Sequence, residues 1–295
     1  MIKCELYNDH FENANRYGIQ HAQLIIADIP YNLGVNAYAS NPQWYKDGNN
    51  KNGESEFAGK TFFKTDEKFK INNFFDFCTR YLNKEPKEKN EKGRSSKAPA
   101  MIVFCSFEQM QIVIEEGKKH GLNHSYPLIF IKKSSAQVLK VNMKIVNACE
   151  YAVVLYREKL PKFNNIGADG KRHMVLNWFN WERDGKEIPK CHPTQKPVAL
   201  LKRLIEIFTD AGDTVIDPCA GSGSTLRAAY ELARNSYGFE IEKDFYKDAK
   251  EKMLSNMPYT EELQAYDEML NEKIKQHNNQ EAPKEKKEHT SLFDF

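Results

Sequence analysis

Five apolar runs punctuate the chain: AQLIIAD at 22–28, PAMIVFCS at 99–106, YPLIFIK at 126–132, EYAVVLY at 150–156 and DTVIDP at 213–218. Each is continuous rather than alternating. A strand covered on one face alternates apolar and polar residues, whereas a strand covered on both faces stays apolar throughout. The runs therefore predict strands of a buried sheet. Stretches of helical period lie between some of them. FEQMQIVIEEGKKHG follows the second run and closes on a basic turn and a glycine. VALLKRLIEIFTDAG carries Leu200, Leu201, Leu204, Ile205 and Phe208 at helical spacing. Strands alternating with helices predict an α/β fold, a mostly parallel central sheet with helices on both faces.

Other stretches lack such a pattern. Residues 36–73 are rich in Asn, Gly, Lys and aromatics without a period, and 83–98 is a charged run that reads as a loop. Leu263, Tyr266, Leu270 and Ile274 predict a last amphipathic helix over 259–275. The expected organisation is one domain over 1–275, with inserts near 36–98 and 157–190, and a flexible charged tail over 276–295.

Composition narrows the field. Hydrophobic residues make up 40% and charged residues 28% of 295, as in ordinary soluble proteins, and the net charge is only +2. Any nucleic-acid surface must then come from local patches. Six cysteines occur with no C-x-x-C pair, which argues against zinc and against a disulfide framework. No stretch approaches ~20 apolar residues, and MIKCELYNDH has no signal-peptide pattern. A reduced, cytoplasmic location with no membrane and no metal is expected.

The segment DTVIDPCAGSGSTLRAAYELARNSYGFEIE holds the first chemistry. A strand ends at Asp217, a turn carries Gly221 and Gly223, a helix starts near Ser224, and a second strand ends at Glu240 and Ile241. This is half of a nucleotide-binding βαβ unit, with Glu240 placed to accept hydrogen bonds from ribose hydroxyls. The turn lacks the lysine of a phosphate loop, and Leu226 stands where a dinucleotide site needs its third glycine. Asp217 would repel phosphate and attract a sulfonium, which points to S-adenosyl-L-methionine. A tight turn without a ligand is the alternative. Earlier in the chain, LIIADIPYNLG sets Asp28, Ile29, Pro30 and Tyr31 at the end of a strand. Alone, it reads equally as a strand running into a turn. In CHPTQKP at 191–197, Thr194 and Lys196 suit a carboxylate ligand; the same segment also reads as a helix start, with Thr194 as cap and Pro197 in the first turn.

Taken together, these segments resemble the S-adenosylmethionine-dependent DNA amino-methyltransferases of the adenine-N6/cytosine-N4 family. The hallmark Asp/Asn/Ser-Pro-Pro-Tyr/Phe/Trp is DIPY here, with Ile29 as the departure. The cofactor motif D-x-F-x-G-x-G is Asp217-Pro218-Cys219-Ala220-Gly221-Ser222-Gly223, with Cys219 in place of Phe. CHPTQKP is similar to the family's His-Pro-Thr-x-Lys-Pro segment. LYNDHFENA resembles its opening segment, in which an acid, here Asp9, reaches the cofactor adenine. The likeness covers residues 3–34 and 100–250, and the catalytic tetrapeptide precedes the cofactor turn, as in the permuted β group.

The resemblance implies a Rossmann-like methyltransferase fold with circularly permuted motif order. It implies a cofactor held by Asp9, Asp28, Thr194, Lys196, Asp217, Pro218, Cys219, Ala220, Gly221, Gly223, Glu240 and Ile241. It also implies transfer to adenine N6 of a base flipped from double-stranded DNA. The Asp28 carboxylate and the carbonyl of residue 29 would accept the amine hydrogens and release its lone pair. Pro30 keeps residue 29 extended, and Tyr31 would stack on the base. Cytosine N4 is the alternative target, and a silent DNA-binding subunit the alternative role.

Lys132, Lys133, Lys140, Lys144, Arg157, Lys159, Lys171 and Arg172 are candidate phosphate contacts, and Trp178, Phe179 and Trp181 are candidates for recognition or core. The ending HTSLFDF resembles a sliding-clamp-binding peptide, with His289 replacing the usual Gln. Expected partners are DNA, the clamp and a second copy, in a bacterial or phage-infected cell.

Overall fold

The computed structural model describes residues 2–30, 69–87, 97–133, 138–140, 145–167, 169–192 and 194–281. The five apolar runs become β2 (Leu24–Asp28), β3 (Ala100–Cys105), β4 (His124–Lys132), β7 (Cys149–Tyr156) and β9 (Thr214–Asp217). Added to these are β1 (Cys4–Tyr7), β8 (Trp178–Trp181) and β10 (Asn235–Phe239), with a small separate hairpin of β5 (Val138–Lys140) and β6 (Ile145–Val146). The helices are α1 (Ile71–Tyr81), α2 (Met110–Lys119), α3 (Val198–Phe208), α4 (Ser224–Glu231), α5 (Lys243–Asp248) and α6 (Glu261–Glu281).

The main sheet has eight strands in the order β1-β10-β9-β2-β3-β7-β4-β8. Every neighbouring pair is parallel except the two made by β7, so β7 alone runs against the rest. Alternate residues of β2 enter different cores. Ile25 and Ala27 pack with Phe74, Phe75, Phe77 and Val113 of α1 and α2, whereas Leu24 and Ile26 pack with the apolar residues of α3 and α4. Burial on both faces accounts for the unbroken apolar runs.

Strand order reverses beside β2. The chain leaves β9 through α4 to β10 on one side, and β2 pairs with β3 on the other. Parallel α/β sheets bind ligands outside the carboxyl ends of the strands at such a reversal. Asp28 and Asp217 are the last residues of the two adjoining strands.

Three readings of the sequence need correction. The region near 36–98 contains a core helix rather than only an insert: Phe74, Phe75, Phe77 and Cys78 of α1 are buried. Polar Asn72, Asn73 and Asp76 interrupt these positions and obscure the period. The segment 157–190 contributes β8, whose Phe179 and Trp181 pack against the α3 side while Trp178 is exposed. The last helix continues to Glu281, past the expected end at 275. Among the described residues, no helix is long and apolar enough to cross a membrane.

Gly238 of β10 sets the distance between strand and helix. A Cβ there would lie 2.7 Å from Leu226 Cδ1 and 3.0 Å from Ala220 Cβ. Gly238→Ala should therefore cost about 1–3 kcal/mol by overpacking, read as a lower urea midpoint with an unchanged slope.

Candidate active site

The turn after β9 is built around two buried acids. Asp217 Oδ1 accepts the Cys219 N–H at 3.0 Å, and Glu240, just past β10, accepts the Gly221 N–H at 2.9 Å and the Glu242 N–H at 2.7 Å. The Ala220 N–H donates to the Phe239 carbonyl at 2.9 Å, which ties the turn to β10. Gly221 (φ +48°) and Gly223 (φ +76°) adopt left-handed backbone, where a side chain would be strained. Burial pushes the Asp217 carboxyl up to about 7; bonds from Thr225 and Cys219 oppose this, and the Asp28 and Glu240 charges add to it. Burial also raises Glu240, against its backbone N–H bonds. Two desolvated carboxyls beside a glycine turn favour a ligand that brings positive charge.

The end of β2 supplies the second half. The Asp28 carboxylate is partly buried, and its Oδ2 lies 2.5 Å from Lys196 Nζ. The ammonium stands 5.1 Å from the Phe104 ring centre and 5.6 Å from that of Trp181. Burial alone would lower the Lys196 pKa; the charges of Asp28, Glu150 and Asp217 outweigh it and raise it. Glu150 in turn pairs with Lys132, which lies 4.7 Å from the Trp181 ring centre.

The departure at Ile29 has a structural reason. Its side chain is 2% exposed within the α1–α2 core, and its N–H donates to the Phe104 carbonyl at 3.2 Å. Proline could supply neither that hydrogen bond nor the branched side chain. The Pro30 carbonyl accepts a 2.8 Å bond from Gln109 Nε2, and Gln109 Oε1 accepts the Ser106 N–H at 3.1 Å. Gln109, just before α2, thus fixes the tip of the motif. Tyr31 lies outside the described residues.

A family model described as DNA methylase matches residues 22–251, most of the chain and the ends of both β2 and β9. The chain belongs to the DNA methylase family. DNA adenine methyltransferase YhdJ of Escherichia coli K12 is 48% identical over 278 residues, covering 83% of this chain and 80% of that one. Type II methyltransferase M.MjaI of Methanocaldococcus jannaschii is 32% identical over 172 residues, 51% of this chain and 56% of that one. The chain covers 66% of putative methylase YubD of Escherichia coli K12, at 28% identity. It thus spans less than two thirds of YubD and of M.MjaI. Among solved structures, the M1.HpyAVI–SAM complex superposes with a TM-score of 0.56 at 20% identity, covering 83% of this chain and 97% of that one. PvuII DNA methyltransferase (cytosine-N4-specific) gives 0.56 at 14% identity, covering 90% and 92%. These structures share the Rossmann-like methyltransferase fold with this DNA methylase.

Other sequence-derived residues of the methylase have partners of their own. Asp9 sits beyond β1, but its carboxylate serves its own turn. It accepts the His10 N–H, Asn13 Nδ2 and Tyr17 Oη, each at 2.7 Å, and faces Arg16 at 3.6 Å. The bonds from Asn13 and Tyr17 hold it below the usual carboxylate range. Ile241, next to Glu240, is 43% exposed and available to a ligand.

In the 191–197 segment, Thr194 and Lys196 part company. Thr194 Oγ1 lies 3.1 Å from His192 Nδ1, while Lys196 points to Asp28. Thr194 is not the helix cap. Asp184 Oδ1 accepts the Val198 N–H at 2.8 Å, and its Oδ2 accepts from Gln195 Nε2 at 3.2 Å. Pro197 precedes the first turn of α3 rather than lying within it. His192 packs against Phe245 and the glycine turn; burial, then Lys196, lowers its pKa to about 4, so it is neutral.

Several expected phosphate contacts are occupied internally. Lys132 pairs with Glu150. Arg157 donates to the Asn83 and Thr79 carbonyls at 2.8 and 3.1 Å, closing the end of α1, and Lys159 Nζ donates to the Pro86 carbonyl. Arg157 and Lys159 thus satisfy part-buried backbone acceptors, a role local sequence does not reveal. Lys133, Lys171 and Arg172 are exposed. Lys144, the Lys140 side chain and the 282–295 tail lie outside what is described.

Proposed function

We propose that this chain transfers a methyl group from S-adenosyl-L-methionine to the exocyclic N6 of adenine in double-stranded DNA. The observation that carries this reading is the meeting of the carboxyl ends of β2 and β9, which brings Asp28 within electrostatic reach of Asp217 and Cys219 in a glycine turn tied together by Asp217 and Glu240. The relative YhdJ is named a DNA adenine methyltransferase, and the fold neighbour M1.HpyAVI was solved with SAM. The order of the motifs, with DIPY before the cofactor turn, supports the permuted arrangement.

The residues present fit the cofactor. Asp217, Pro218, Cys219, Ala220, Gly221 and Gly223 would form its cradle, because the left-handed glycines let backbone approach closely. Glu240 would hold the ribose hydroxyls, since a carboxylate has about four lone-pair sites and backbone bonds leave some over. Ile241 would add an exposed apolar contact, and Asp9 and Thr194 would join the set by exchanging their present partners for the ligand. When bound, the sulfonium supplies an activated methyl group.

The chain's own residues prepare the base. Asp28 and the carbonyl of residue 29 accept the amine hydrogens, and Tyr31 stacks on a base turned out of the duplex. With its lone pair released, the amine nitrogen would take the methyl group, the donor keeping the electron pair of the bond it loses. One amine proton is then released to solvent. Cytosine N4 offers the same amine chemistry, and the PvuII fold neighbour is specific for it.

The proposal includes one catalytic domain over 1–275, phosphate contacts from Lys133, Lys171 and Arg172, and a location in the cytoplasm of a bacterial or phage-infected cell. The segment that follows α6 would dock on a sliding clamp, and a second copy is a further candidate partner. Mass spectrometry of nucleosides from duplex DNA treated with the protein tests the reading. N6-methyladenine is expected; N4-methylcytosine alone would reassign the base. A chain that fails to bind the cofactor in calorimetry would instead be a silent DNA-binding subunit.

A further inference from the structure

We infer that Lys196 is a positioning residue for methyl transfer, acting through Asp28 and not by gripping the cofactor. It fixes the orientation of that carboxylate and keeps it charged while the base amine is bound. The inference rests on the methyl-transfer reading given above.

The geometry argues for it. Lys196 Nζ meets Asp28 Oδ2 at 2.5 Å, a charge-assisted contact that restricts rotation of the carboxyl group. The ammonium is itself confined by the rings of Phe104 on β3 and Trp181 on β8, two strands of the same sheet. Groups placed by packed strands hold a site more closely than groups on loops. Glu150 on β7 backs the ammonium and is anchored by Lys132. The arrangement alternates in charge from Asp28 through Lys196 and Glu150 to Lys132.

The other titratable groups facing Asp28 make the lysine necessary. Asp217 on β9, Cys105 on β3 and Cys219 in the glycine turn all interact electrostatically with it, and each is an acid or a thiol. With Lys196 removed, a partly desolvated Asp28 would face Asp217 without its nearest compensating cation. Desolvation and a like charge both favour the protonated acid. A protonated Asp28 is a poor acceptor for the amine hydrogen, so transfer would fail at the pH where the native enzyme works. A role shared with Thr194 at a cofactor carboxylate is not supported by their positions, since Thr194 lies against His192 instead.

The test uses the full chain with Lys196→Met and Lys196→Arg. Single-turnover methylation of duplex DNA is measured from pH 5 to 9, together with cofactor affinity by calorimetry. The Asp28 carboxyl is titrated by carbon NMR in the cofactor-free protein, with Asp28→Asn for assignment. In Lys196→Met the acid limb and the carboxyl titration should both move up by about 1–3 units, with cofactor affinity changed less than about threefold. Lys196→Arg should restore most of the native profile, because it keeps the charge. Lys196→Gln replaces the methionine variant if that one does not fold.

A tenfold loss of cofactor affinity with an unmoved acid limb would overturn the inference and return Lys196 to the cofactor. An unmoved limb with unmoved affinity would overturn it as well. If the native chain methylates no DNA, the functional reading fails on its own. The carboxyl titration still decides whether Lys196 controls Asp28.

Discussion

Asp28→Ala is expected to reduce methyl transfer by at least about 10²–10³-fold while leaving cofactor affinity within a few-fold of native. The amine nitrogen acquires positive charge as the methyl group arrives. A fixed carboxylate aimed at that nitrogen stabilises the transition state more than the ground state, which is the condition for raising the rate. Removing one such preorganised group costs about that factor. The substitution has a second effect, because it deprives the buried Lys196 ammonium of the partner at 2.5 Å. Breaking a fully buried ion pair costs about 3–5 kcal/mol; the Asp28 side chain is 28% exposed, so about 1–3 kcal/mol is expected here. The two effects separate in a double variant. Asp28→Ala with Lys196→Met should regain much of the stability in urea titrations and none of the activity. Recovery of methylation in the double variant would show that the single variant failed only by misfolding.

The sequence was most legible where burial is symmetric. Runs such as LIIAD and AMIVFC are apolar because both faces of the sheet are covered, and each became a strand of the parallel core. The βαβ unit around Gly221 and Gly223 was equally plain, since a strand-to-helix turn with left-handed backbone calls for glycine. What stayed hidden depends on partners distant in sequence. Asp28 and Lys196 are 168 positions apart, and each looked like a ligand-binding residue on its own. Asp184 caps a helix that it precedes by a loop, a role local rules gave to Thr194. Gln109 reads as an ordinary polar residue ahead of a helix, and only the fold brings its amide to Pro30. Short edge strands were missed for a related reason. CELY and WFNW have too few residues to establish a period, and their pairing comes from β10 and β4.

Asp217→Asn should make the protein more stable above neutral pH and weaken its hold on a cationic cofactor. The Asp217 carboxyl is buried and titrates at about 7, against 3.8 as its ordinary value. Below pH 4 it is protonated in both folded and unfolded chains, so it contributes no pH-dependent cost. Between pH 4 and 7 the unfolded chain releases this proton and the folded chain retains it. Stability therefore falls through that window and levels off above about 7. A shift of three units corresponds to about 4 kcal/mol at full ionisation. Asparagine cannot ionise, so the variant should match the native protein near pH 4 and exceed it by up to about 4 kcal/mol at pH 8. Urea titrations at pH 4, 6 and 8 would show this, and an equal difference at all three would refute it. The retained cost has a functional counterpart. A sulfonium bound beside Asp217 favours the ionised acid, so native affinity for S-adenosylmethionine should rise with pH through about 7. In Asp217→Asn the affinity should be lower at pH 8 and nearly independent of pH across the same range. The buried charge that lowers the stability of the fold would then be the one the cofactor compensates, so a single substitution should move stability and affinity in opposite directions.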